Sequence, residues 1–232
     1  MSRMTVCGLL AWVFWAGSAA ASPMVGVTHI NGHFLGMGGE FTLTPNAELA
    51  ALTGETGPFG GFCMEWSEDV AIDAAYEVTV NREALQGGYN SGLAGPLGGD
   101  PLDPRTAYLY WRFRAGTLAG YEYTPGDGRA LSAQALQDVI WYLEDEQPRG
   151  WQAGSLQDAF YNEAQTAVDS GLWVGLGDVR VLNLWVPGHV GDLEYRVQDM
   201  LITVPVPAPG AFALVGLGSG LLIWRRRCAA ES

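Results

Sequence analysis

The run Ser132-Ala133-Gln134-Ala135-Leu136-Gln137-Asp138-Val139-Ile140-Trp141-Tyr142-Leu143 interrupts an otherwise strand-like sequence. Leu136, Val139, Ile140 and Leu143 recur at the spacing of one helical face, and Ser132 suits an N-cap. The acidic stretch Glu144-Asp145-Glu146 marks the far end, with Pro148 and Gly150 as terminators. A second helix is predicted over residues 156–169, between a Ser155 cap and a Gly171 stop.

Outward from this helical pair the chain reads as strands. On the N-terminal side these are residues 24–30, 39–43, 61–65 and 75–80, separated by glycine turns. Glu77-Val78-Thr79-Val80 alternates with period two, the mark of a half-buried strand. Residues 85–104 form a loop dense in Gly, Pro, Asn and Asp, and residues 106–114 are expected as an aromatic-rich strand. Strands return at 179–186 and 193–203. The resulting expectation is an α+β, β-rich domain over residues 22–203: an antiparallel sandwich or barrel with an inserted helical pair.

Composition supports a packed domain, since 48% of the 232 residues are hydrophobic and 16% are charged. A formal net charge of −13 disfavours nucleic acid and anionic membrane surfaces as partners. All twelve basic residues are arginine, so no lysine amine is present.

Both ends carry sorting patterns. Residues 1–21 read as a signal peptide: Arg3, an apolar run from Val6 to Ala16, then a small-residue site with cleavage expected after Ala21 by signal peptidase. Residues 204–232 contain Pro205, Pro207 and Pro209, a Gly-rich apolar segment, and the cluster Arg225, Arg226 and Arg227. Prolines separate the segment from the domain, and the arginines hold its end in the cytoplasm. This tail resembles the PEP-CTERM sorting signal of Gram-negative bacteria, with Ala208 where the signature carries glutamate. The resemblance implies an exosortase-type sorting enzyme as a partner and at least transient membrane contact. It also implies a destination in the cell envelope, at the cell surface or in the extracellular matrix.

Conventional catalytic signatures are missing from the sequence: there is no G-x-S-x-G, P-loop or nucleotide fingerprint, and no cofactor is indicated. His29 and His33 flank a turn-like Ile30-Asn31-Gly32, and Asp100, Asp103 and Asp127 lack calcium-loop spacing, so no metal site is read here. Cys7 belongs to the leader and Cys228 follows the arginines. Cys63 is therefore the one cysteine of the domain, either a small buried hydrophobe or a reactive group.

The surroundings of Cys63 sharpen the second alternative. Phe62-Cys63-Met64-Glu65, with Leu136-Gln137-Asp138-Val139-Ile140-Trp141 further on, resembles the thioester domain of Gram-positive surface adhesins. There an aromatic-Cys-apolar strand motif and an apolar-Gln-x-x-apolar-Trp helix motif supply the two halves of an internal bond. The resemblance implies Cys63 and Gln137 as the thioester-forming pair, shielded by Phe62 and Trp141. Helical spacing places Gln137, Ile140, Trp141 and Glu144 on one face. Such a domain reacts once with an outside amine or hydroxyl and is not an enzyme. The competing expectation is a noncovalent polysaccharide-binding or structural envelope protein. In it, exposed aromatics such as Tyr108, Tyr110, Trp111, Tyr121 and Tyr123 would stack on sugar faces, although rings along a strand alternate between core and surface and most of these are expected to be packing residues.

Overall fold

A computed structural model describes residues 21–36, 38–85 and 98–205. Its strands are β1 (Met24–Thr28), β2 (Phe34–Leu35), β3 (Gly38–Gly39), β4 (Phe41–Pro45), β5 (Phe59–Gly61), β6 (Ala74–Asn81), β7 (Glu83–Ala84), β8 (Asp100–Pro101), β9 (Val179–Trp185) and β10 (Met200–Thr203). The helices are α1 (Ala47–Thr53), α2 (Pro104–Arg114), α3 (Asp127–Leu143) and α4 (Leu156–Asp169).

Six strands make one antiparallel sheet in the order β10-β9-β6-β1-β4-β5, and two short ribbons pair β2 with β3 and β7 with β8. The large sheet curls until its ends almost meet. Beyond β5, Cys63 stands opposite Met200 of β10 in an antiparallel bridge. Leu201 N–H donates to the Phe62 carbonyl and Met64 N–H to the Asp199 carbonyl, both at 3.0 Å. The fold is thus α+β, a near-closed antiparallel barrel with inserted helices. Nearly closing the sheet removes most of the exposed edge that an open sheet would present.

Side-chain alternation across this sheet divides the core in two. Val25, Val27, Leu43, Val78, Leu184, Met200 and Cys63 share one buried cluster, which Trp141 joins. Phe62, Met64, Val181 and Leu201 point to the other side, where Leu109, Tyr110, Leu136, Ile140 and Phe160 of the helices cover them.

Helix α4 has the predicted bounds, with the Ser155 side chain accepting from Asp158 N–H. Helix α3 begins earlier than expected, at Asp127, and Ser132 is internal. Its hydroxyl donates back to the Gly128 carbonyl at 2.8 Å instead of capping. The expected strand over 106–114 is a helix, α2, so the insertion holds three long helices. Asp103 caps it through Arg105 N–H, and Pro104 occupies its first turn, where a missing N–H costs nothing. Thr106, Leu109, Tyr110 and Phe113 are buried at helical spacing. The β propensity of the aromatic residues yields to this periodicity and cap. Residues 193–195 form a 3-10 turn, and the last strand is confined to Met200–Thr203.

Asn46 ties the first strand to α1. Its Oδ1 accepts from Leu49 N–H and Met24 N–H at 2.9 Å each, and its Nδ2 donates to the Ser22 carbonyl. Asn46→Ala is expected to lower unfolding free energy by about 1–2 kcal/mol, measured by urea denaturation.

Candidate functional site

The seam of the barrel is where the two sequence motifs meet. Backbone N–H and C=O groups along a strand point alternately to either side, so residues 62 and 64 bond to β10 while Cys63 faces the other way. On that side β4 pairs with β5 only as far as Phe41 opposite Gly61. Gln137 of α3 takes the place of the missing neighbour. Its Oε1 accepts from Cys63 N–H at 3.1 Å, and its Nε2 donates to the Cys63 carbonyl at 2.9 Å. Gln137 is wholly buried and Cys63 nearly so, with a free thiol.

Several contacts fix α3 in this position. Arg129 in its first turn forms a two-pronged bond to Glu40, at 2.8 Å and 2.7 Å, and Tyr121 donates to the same carboxylate. The β2–β3 ribbon lies against the helix. A Cβ on Gly38 would come 2.7 Å from Gln137 Cγ and 2.4 Å from Trp141 Cη2, so only glycine allows this approach. At the far end Glu146 accepts from Trp66 N–H at 3.1 Å.

Trp141 is 4% exposed and meets Trp66 edge to face at 4.7 Å. A cavity of about 140 Å³ lies beside the seam, lined by Cys63, Trp141, Trp66 and Glu65 among others. Phe62 is buried on the opposite side of the strand, T-shaped against Phe113. The structure therefore brings Cys63, Gln137 and Trp141 together and places Phe62 in the supporting core beneath. Pro205 is exposed at the end of the described residues. The expected signal-peptide core, Pro207, Pro209, Arg225, Arg226 and Arg227 lie outside the described residues.

The floor of the site is acidic, which the sequence reading missed. Cys63 and Glu65 line the same small cavity, with the chain bending at Met64 between them. Glu65 is 3% exposed. Its Oε2 accepts from Asp199 N–H at 3.2 Å and Gln198 Nε2 at 3.3 Å, while Oε1 is buried without a partner. Burial, then the charges of Asp199 and Glu68, push its carboxyl well above the usual range. Burial likewise lifts Asp199 to about 8. The Cys63 thiol is pushed well up by burial and then by Glu65 and Asp69, so it is neutral at neutral pH. The closeness of Glu65 to Cys63 along the chain was available in the sequence. Asp199, brought to the site from the far end of the chain, was not.

Most of the aromatic side chains named as sugar-stacking candidates are core residues, in line with the expectation that most of them pack. Tyr108, Tyr110 and Tyr121 are buried, and the Tyr110 hydroxyl donates to the Gly60 carbonyl at 2.9 Å. Trp111 is partly exposed but packs against Trp173 at 5.3 Å, and Tyr123 stacks on Phe113. These rings lie on a helix and the turn after it, which buries what a surface strand would have displayed. Among the described residues no group of three or more His, Cys, Asp or Glu side chains is placed to hold a metal ion.

Compared with known proteins, the chain matches no family model, no curated protein and no solved structure.

Asp199 gives the site a pH signature. A carboxyl whose pKa rises on folding holds its proton more tightly in the folded state, so stability falls as pH climbs from 3.8 to about 8. Below that interval the stabilisation is complete, and above it the loss is complete. Asp199→Asn keeps an acceptor oxygen for Leu85 N–H and Asn183 Nδ2. The midpoint of thermal unfolding should therefore fall less steeply with pH in this variant than in the wild type.

Proposed function

We propose that this is an exported surface or matrix protein whose domain attaches covalently to an external acceptor through an internal Cys63–Gln137 thioester. One observation carries the reading: the Gln137 amide is held at Cys63 by two hydrogen bonds in a buried seam. In the forming step Cys63 Sγ attacks Gln137 Cδ, the Cδ–Nε2 bond breaks, and the thiol proton leaves on the departing nitrogen as ammonia. Cys63 N–H already bonds Oε1, the atom on which negative charge develops, so a donor is in place before reaction. Holding both groups together in a buried seam supplies the remaining advantage. Glu65, with an unpartnered buried oxygen in the same cavity, is the proton carrier between sulfur and nitrogen in this reading.

Export and sorting rest on residues 1–21 and 204–232 of the sequence. In this proposal signal peptidase removes the first, and an exosortase-type enzyme acts on the second at a Gram-negative envelope.

The same two hydrogen bonds also favour a second reading, a noncovalent or structural envelope domain. Without a bond, Gln137 is a strut that satisfies Cys63's backbone at the seam, where an unpaired buried group costs about 1–3 kcal/mol.

Intact mass separates the two. The thioester reading expects the loss of one ammonia, together with labelling by methylamine; Cys63→Ala and Gln137→Ala abolish both, and Glu65→Gln slows ammonia loss. Full mass in freshly purified wild-type protein, with no labelling, leaves the strut. Deleting residues 205–232 should release the exported protein from the envelope, read by fractionation; full retention would dismiss the tail as the anchor.

A further inference from the structure

The Trp66–Trp141 pair borders two cavities. One is the small space beside Cys63. The other is a cleft of about 500 Å³ on the outer side, walled by Trp66, Trp141 and Trp151 and edged by Gln147, Gln152 and Asp138. Its size lies within the range of ligand sites, at about 300–1,000 Å³. We infer that this cleft binds a neutral carbohydrate chain and presents one of its hydroxyls to the Cys63–Gln137 thioester.

The lining chemistry selects the ligand. The indole rings of Trp66 and Trp151, with the edge of the nearly buried Trp141 behind them, offer apolar surface that suits the C–H faces of a pyranose, and the amide side chains at the rim suit its hydroxyls. Trp66 is 38% exposed, enough ring for a sugar to cover. Charge selects further. Asp138, the only ionisable residue lining the cleft, already accepts from Gln134 Nε2 at 2.7 Å on one oxygen and from Gln157 Nε2 at 3.1 Å on the other. Arg149 lies nearby over Trp151 and is paired with Asp158. The lining offers no cation to an anionic ligand, and both Asp138 oxygens are already taken by amide donors, so a neutral ligand fits.

Position selects the reaction. Because Trp66 and Trp141 line both spaces, displacement of the exposed Trp66 ring joins the cleft to the cavity at Cys63. A sugar hydroxyl oxygen then attacks Gln137 Cδ and the Cδ–Sγ bond breaks. The hydroxyl proton passes to sulfur, restoring the thiol and leaving an ester between residue 137 and the sugar. The covalent step rests on the thioester reading; the binding step rests on the cleft alone.

The two parts are tested separately in the full chain. Affinity electrophoresis of Cys63→Ala through gels containing dextran, hydroxyethylcellulose or galactomannan should show retardation by at least one. Adding Trp66→Ala should weaken it roughly fivefold to tenfold, the worth of one aromatic stacking contact. Retardation by none of the three, or retardation unchanged by Trp66→Ala, overturns the carbohydrate cleft.

Wild-type protein incubated with oligosaccharides of the retarding polymer should gain their mass as an adduct that hydroxylamine removes, and should regain a free thiol. In Trp66→Ala, whose missing ring also opens the path to Cys63, methylamine labelling should speed up, while the rate of sugar-adduct formation relative to methylamine labelling should fall by about the factor that binding loses. Methylamine labelling with no sugar adduct overturns the hydroxyl acceptor alone. Wild-type protein without ammonia loss or methylamine labelling sinks the thioester reading, and the electrophoresis then still decides the cleft.

Discussion

Closure of the barrel at Cys63 is the constraint on which the site depends. The strand continuing from β5 reaches β10 through the backbone of residues 62 and 64, which leaves the N–H and carbonyl of Cys63 turned toward a gap where β4 has already diverged. Buried backbone groups need partners, and the Gln137 amide supplies both a donor and an acceptor at once. That requirement sets the rotation and height of α3. The Glu40–Arg129 ion pair and the Gly38 contact hold it there from the opposite side. A side chain that completes a sheet is therefore an amide bonded to the backbone of Cys63, which carries the only thiol among the described residues.

The electrostatics around this seam work against a free nucleophile. Glu65, Glu68, Asp199 and Glu146 gather near Cys63, with Arg196 paired to Glu68 on the outer side. Burial raises Glu65, Glu68 and Asp199 toward their neutral forms, and the thiol rises with them. A neutral thiol in a buried acidic pocket is a poor target for solution oxidants, whose reaction needs thiolate. Bond formation with Gln137 then needs a proton carrier at hand more than a lowered pKa. The carboxyl of Glu65 is the group so placed.

The aromatic residues divide by depth. Those of α2 and the turn after it fill the core beneath the sheet, while Trp66 and Trp151 stand at the surface around the cleft. Trp141 belongs to both settings, since it is buried with Met200 and Leu184 and also forms the common wall of the two cavities. In the proposed function, shielding of the seam and recognition of an outside chain therefore meet at one side chain.

Local pattern was enough to mark α4, whose cap and stop lie within a few residues of its ends, and to give the β-rich class with an inserted helical section. Cys63, Gln137 and Trp141 were singled out by the resemblance of two short motifs to a known domain, not by periodicity. The strand expected over 106–114 shows the limit. Aromatic residues suggested a strand, while the Asp103-Pro104 start and the spacing of Thr106, Leu109, Tyr110 and Phe113 carried the helix. What tertiary structure alone decided is the set of long-range pairings: Cys63 with Gln137, Glu65 with Asp199, Trp66 beside Trp141. These join residues 74, 134 and 75 positions apart. Their meeting depends on how the sheet closes and where α3 docks, which no local run of sequence encodes.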